Sequence, residues 1–130
     1  FFVQGALVKA VEDVRDGRVD LGIAGPFGQI LRSRDGGRTW TALESPVRSW
    51  LSSIYFDSQG RGFITAERDI LVSEDGESWR TLGLEEWMFL ETVVPAGNRL
   101  WAVGPFGLMI NDGPPDKPWR RFEPKFPAAT

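Results

Sequence analysis

Ser33-Arg34-Asp35-Gly36-Gly37-Arg38-Thr39-Trp40 is the first stretch of this chain whose residue types and spacing could do chemistry, and Ser73-Glu74-Asp75-Gly76-Glu77-Ser78-Trp79 repeats it with one residue fewer. An Asp that opens a tight turn accepts hydrogen bonds from backbone N–H groups a few residues on, and Gly supplies positive φ at little steric cost. Ser33 and Thr39 can brace such a turn. Trp40 then points into a packing layer, where its area is worth about 3–5 kcal/mol against Ala. Turn formation explains every residue, so the expectation is a folding staple. Its members are Ser33, Asp35, Gly36, Gly37, Thr39 and Trp40; then Ser73, Asp75, Gly76, Ser78 and Trp79; and Asp112, Gly113 and Trp119 in an eroded third copy. A calcium loop would need the Asp-x-Asn-x-Asn-Gly pattern with a downstream Glu, which is missing here.

Beyond these turns the chemical repertoire is small. The 130 residues include no His and no Cys, which removes an imidazole base, a thiol nucleophile, a disulfide framework and an ordinary zinc site. The sole Tyr, Tyr55, sits inside the apolar run Ser53-Ile54-Tyr55-Phe56, where a packing role is expected. Adjacent acids at Glu74-Asp75 and Glu85-Glu86 fall in loops and read as solvated surface. No catalytic residue, metal or cofactor is therefore expected. A net charge of −3 lacks the general pull toward nucleic acid or an anionic membrane, so the partners expected exclude nucleic acid and any membrane association is peripheral. No run approaches the ~18 apolar residues of a membrane span. The chain opens Phe1-Phe2-Val3 without Met, and a processed or partial chain is the expectation.

The elements that hold these turns come from a repeat. Ile30 to Trp40 returns at Ile70 to Trp79, Gly25-Pro26-Phe27-Gly28 returns word for word as Gly104-Pro105-Phe106-Gly107, and Trp40, Trp79 and Trp119 keep the spacing. Each unit reads as four short extended runs. The first has Ala6 to Val11, Val19 to Ala24, Gln29 to Ser33 and Thr39 to Leu43. The second has Trp50 to Phe56, Gly62 to Ala66, Asp69 to Ser73 and Ser78 to Leu82. The third has Leu90 to Val94, Leu100 to Val103, Leu108 to Ile110 and Trp119 to Phe122, with Pro95-Ala96-Gly97-Asn98 as its first turn. A helix is conceivable only at Val8 to Val14, where the Val content and the nearby Asp-Gly favour strand. Four strands per ~40 residues is the signature of a β-propeller blade. The expectation is an all-β chain of antiparallel four-stranded blades at 5–44, 45–83 and 84–124, with a tail at 125–130. Closed propellers typically have about four to eight blades, so three belong to a larger ring or associate with other copies. Adjacent apolar residues such as Ile30-Leu31 and Met109-Ile110 put side chains on both faces, and the first and last blades would each leave one face bare.

The turn motif resembles the Asp-box, or BNR, repeat. The fuller line from Ala24 to Trp40 is similar to propellers of the photosystem II assembly and stability factor type, where Gly-x-x-Gly-x-Ile-Leu-x-Ser-x-Asp-Gly-Gly-x-Thr-Trp recurs in each blade. The second unit departs from it in lacking one turn residue and in having Glu67-Arg68 where the Gly pair would sit, and the third lacks the Ser and Thr positions. The resemblance implies a ring of about seven blades and a non-catalytic scaffold for a membrane-protein complex, assembly-factor-like or associated with an RND transporter. It also implies a periplasmic or otherwise exported protein. Sialidases also carry Asp-boxes, which keeps a carbohydrate-active propeller, hydrolase or lectin, as the alternative, with its active residues outside this chain.

In a propeller, the connections between second and third strands and between successive blades emerge on one rim. Phe27, Arg48, Arg68, Trp87 and Phe106 fall there and are the candidate contact residues, since aromatic and Arg side chains dominate interface hot spots. Arg outnumbers Lys twelve to three, which suits carboxylate or phosphate recognition.

Overall fold

The computed structural model describes residues 9–15, 18–84, 89–105, 107–112 and 118–122, with side chains from residue 21 onward. Among the described residues, twelve strands form three antiparallel four-stranded sheets, each in simple chain order. The first holds β1 (Lys9–Arg15), β2 (Arg18–Ala24), β3 (Ile30–Ser33) and β4 (Thr41–Leu43). The second holds β5 (Leu51–Phe56), β6 (Gly62–Ala66), β7 (Ile70–Ser73) and β8 (Arg80–Thr81). The third holds β9 (Thr92–Ala96), β10 (Arg99–Gly104), β11 (Gly107–Asn111) and β12 (Trp119–Phe122).

The run where a helix was conceivable is strand β1, paired with β2 from Lys9↔Ala24 to Arg15↔Arg18. It continues four residues past the expected end at Val11, while Ala6 to Val8 lie outside the described residues. The turn expected at Pro95-Ala96 is corrected. Both residues belong to β9, where Pro95 faces Leu100 and Ala96 faces Arg99. Proline is tolerated because β9 is an edge strand of its sheet and needs no second ladder there.

Two cores lie between the sheets. Ile30 of the first sheet meets Leu51, Ile54, Ile64 and Leu71 of the second, and Ile70 and Val72 on the other side of β7 meet Leu90, Val93, Ala102 and Met109 near and within the third. The neighbours Ile70 and Leu71 thus serve opposite cores, as the two-residue period of a strand dictates. At the outer faces the expectation of bare apolar surface fails in part. Leu31 is 4% exposed and Ile110 is fully buried. Ile110 lies between Trp101 and Arg120 across the ladder, and Trp101 meets the Phe122 ring edge-on at 5.5 Å. Large cross-strand neighbours shield one another on this face, and the exposure that remains there includes Val94, at 41%.

Candidate functional site

Among the described residues, the antiparallel chain order puts the β3–β4, β5–β6 and β7–β8 turns on one rim, and the β2–β3 and β6–β7 turns with the inter-sheet connectors on the other. On the turn rim the staple chemistry is complete. Ser33 Oγ donates to Asp35 Oδ1 at 2.9 Å and accepts from the Gly37 N–H at 2.8 Å, while Thr39 donates its N–H to Oδ1 at 2.9 Å and its hydroxyl to Oδ2 at 2.6 Å. Thr39, through its hydroxyl and then its N–H, holds the Asp35 carboxyl down to about pKa 2. Trp40 Nε1 closes the turn on the Gly37 carbonyl at 3.0 Å. The shorter second turn reaches the same result with other donors: Gly76 donates to Ser73 Oγ at 2.8 Å, and the Glu77 and Ser78 N–H groups donate to Asp75 Oδ1 at 2.8 and 2.9 Å. Those backbone donors, Ser78 first, lower the Asp75 pKa. Arg34 Nε reaches Glu77 Oε1 at 2.8 Å and ties the two turns together across the sheets. In the third sheet the Asp112 carboxylate pairs with Arg99 at 3.1 Å and Arg120 at 3.3 Å. Trp79 packs on Phe56 at 6.3 Å and Trp119 on the core between the second and third sheets; Gly113 lies outside the described residues.

The connector rim is built differently. Pro26–Gly28 forms a single 3-10 turn in which Phe27 takes φ 60° and is 73% exposed. A left-handed backbone costs a non-glycine residue about 1–2 kcal/mol, so the fold holds this aromatic side chain in solvent against its own preference. Gly28 explains how: a Cβ there would stand 1.9 Å from the Val47 carbonyl oxygen, so the turn is clamped beneath the connector. Phe27, Glu44 and the exposed Arg48 border a cleft of about 530 Å³. Gln29 lines the same cleft, and its Oε1 is buried with no donor among the described residues.

Around the second seam, Arg68 is exposed, with its guanidinium 5.7 Å from the Phe89 ring. Gly104 lets the chain pass Phe89, whose carbonyl oxygen would lie 1.8 Å from a Cβ at that position. A cleft of about 350 Å³ opens there among Trp50, Glu67, Phe89, Leu90, Glu91 and Pro105. Asp69 fixes the connector by accepting the Ile70, Gly83 and Leu84 N–H groups at 2.8, 3.1 and 3.3 Å. Of the five sequence-derived contact residues, Phe27 and Arg48 come together at the first cleft and Arg68 lies by the second. Trp87 and Phe106 lie outside the described residues. Trp50 and Phe89 were missed as contact residues because Trp50 was read as the start of the run to Phe56, although β5 begins at Leu51, and Phe89 lies in a connector without a motif.

The two Gly-Pro-Phe-Gly copies differ in the fold. In the first sheet Ala24 pairs with Ile30 across five intervening residues, whereas in the third Gly104 pairs directly with Gly107. Tyr55, weighed for catalysis, is half-buried and stacks on Phe63 at 6.3 Å and 27°. Burial, then the Asp57 charge, raise its pKa, which is opposite to what an activated phenolate nucleophile needs.

No family model and no curated protein matches the chain. The solved structure of YCF48 bound to D1 peptide is similar to it with a TM-score of 0.65 and 22% identity, covering 78% of this chain and 36% of that one. The chain thus spans about a third of the length of that structure. At this identity the likeness speaks to fold alone, and with the three ordered four-stranded sheets it makes this chain a set of β-propeller blades.

Proposed function

We propose that the chain belongs to a non-catalytic propeller that holds a segment of a partner protein on its connector rim. The observation that carries this reading is Phe27, kept 73% exposed in a left-handed conformation at the mouth of a cleft. Strained, solvent-held aromatic side chains are characteristic of binding surfaces rather than of packing. YCF48 is a propeller seen with a D1 peptide, and the assembly-factor resemblance extends the partner class here to a membrane-protein complex. In this reading the three sheets belong to a ring of about seven blades, the protein is periplasmic or otherwise exported, and any membrane contact is peripheral.

Replacing Phe27 by p-benzoylphenylalanine and irradiating the protein with detergent-solubilised membranes of its own cell tests the proposal. The expected product is a crosslink to a subunit of one membrane complex from position 27 and not from Thr39 on the opposite rim. Equal labelling from both positions, or none from position 27, overturns it.

A further inference from the structure

The cleft between the second and third sheets combines an apolar wall with unmatched negative charge. Trp50, 47% exposed, stands with Phe89, Leu90 and Pro105, and Glu67 and Glu91 complete the lining. Leu90 is anchored at 3% exposure and its carbonyl accepts the Ser52 hydroxyl at 2.9 Å, so the floor is fixed and its hydrogen bonding satisfied. Both carboxylates are exposed, and neither has an ion-pair partner among the described residues. Arg68 stands at the flank with its guanidinium 5.7 Å from the Phe89 ring, and Trp50 keeps 47% of its surface exposed.

We infer that this cleft takes one lysine or arginine side chain from an extended, otherwise apolar segment of the protein partner. The inference rests on the reading of the connector rim as a protein-binding surface and names the chemistry recognised there. A tryptophan face is the best aromatic platform for a cation, and the methylene stem of Lys or Arg lies favourably along an apolar wall. Glu67 and Glu91 supply the countercharge, and the cleft volume lies within the ~300–1,000 Å³ range of ligand sites. An acidic segment would bring its carboxylates against two more, which like-charge repulsion disfavours.

Two fluorescein-labelled nonapeptides of Leu, Pro and Ser, one with a central Arg and the other with Glu there, provide the test by fluorescence anisotropy with the full chain. The Arg peptide should bind about tenfold more tightly than the Glu peptide, with the gap narrowing as salt is raised. A Glu67→Lys, Glu91→Lys double variant should reverse the preference, a gain that misfolding cannot imitate. No binding of the Arg peptide at millimolar concentration, equal binding of both peptides, or an unreversed preference in the double variant overturns the inference. The crosslink from position 27 reports separately on the wider reading. If it forms while the Arg peptide fails, the cleft assignment alone falls; if the peptide behaves as expected and no crosslink forms, the partner reading falls.

Discussion

On the turn rim, Asp35, Asp57 and Asp75 are each saturated by donors from their own turn: Asp57, for instance, accepts the Gln59 and Arg61 N–H groups at 2.9 Å each and the Arg61 side chain at 2.6 Å. On the connector rim, Glu44, Arg48, Glu67 and Glu91 are exposed and without an ion-pair partner among the described residues, beside the exposed aromatic residues Phe27 and Trp50. The turn rim uses its aspartates to close hairpins, whereas on the connector rim Asp69 fixes a connector and these four charged side chains stay exposed. The difference follows from loop type. A hairpin of a few residues offers several N–H groups within reach of one carboxylate, whereas the connectors spanning two sheets are held by close backbone approach at Gly28 and Gly104 and by the single carboxylate of Asp69.

That contrast can be broken most severely at Gly28. Alanine there must place a Cβ against the Val47 carbonyl and hold φ at +76°, so overpacking and backbone strain add. Gly28→Ala should cost about 3 kcal/mol or more in denaturant unfolding, and Gly36→Ala, with φ +74° but nothing within 4 Å, only the strain of about 1–2 kcal/mol. Equal losses would mean that the connector clamp is not what holds the rim. Asp35→Ala should lower the melting temperature by leaving the Thr39 and Ser33 donors without their acceptor, yet leave the position-27 crosslink intact in the folded protein. Loss of the crosslink at an unchanged melting temperature would move function to the turn rim.

The sequence was most legible where structure is local. β6 and β12 begin and end at the residues expected from their apolar runs, and the Asp35 and Asp75 turns carry their chemistry within eight residues. Legibility declined where one residue of register or a neighbouring sheet decides. The repeated Gly-Pro-Phe-Gly letters look equivalent, yet Phe27 lies in a five-residue connection between Ala24 and Ile30 while Gly104 pairs directly with Gly107. Pro95 and Ala96 have turn composition, but an edge strand tolerates them. The Trp50, Phe89 and Pro105 cleft draws on three separate connectors, and no linear pattern reports that they meet.

A smaller effect, of opposite sign, is expected at Phe27. Asn adopts the left-handed region more readily than Phe, and a 73% exposed ring contributes little burial to lose. Phe27→Asn should therefore stabilise the protein slightly, by less than about 1 kcal/mol, while weakening retention on immobilised partner complex. A destabilised variant would show that the ring packs after all and that its exposure is not held for binding.

The smallest effect is the acid response of the turn rim. The Asp35 carboxyl in the folded chain titrates at about 2 against an ordinary 3.8, so the unfolded chain takes up the proton first as pH falls. Its contribution to stability is present above about 3.8 and disappears as the pH drops toward 2. Asp75, also lowered, acts in the same direction. Asp35→Asn removes the titrating group, so the fall of melting temperature across this window should be shallower in the variant than in the parent, and shallower again in the Asp35→Asn, Asp75→Asn double variant. Parallel curves would mean that the turn hydrogen bonds hold the protonated carboxyl as well as the charged one. The staple would then be a matter of shape rather than charge, and the contrast between the rims would rest on the connector clamp alone.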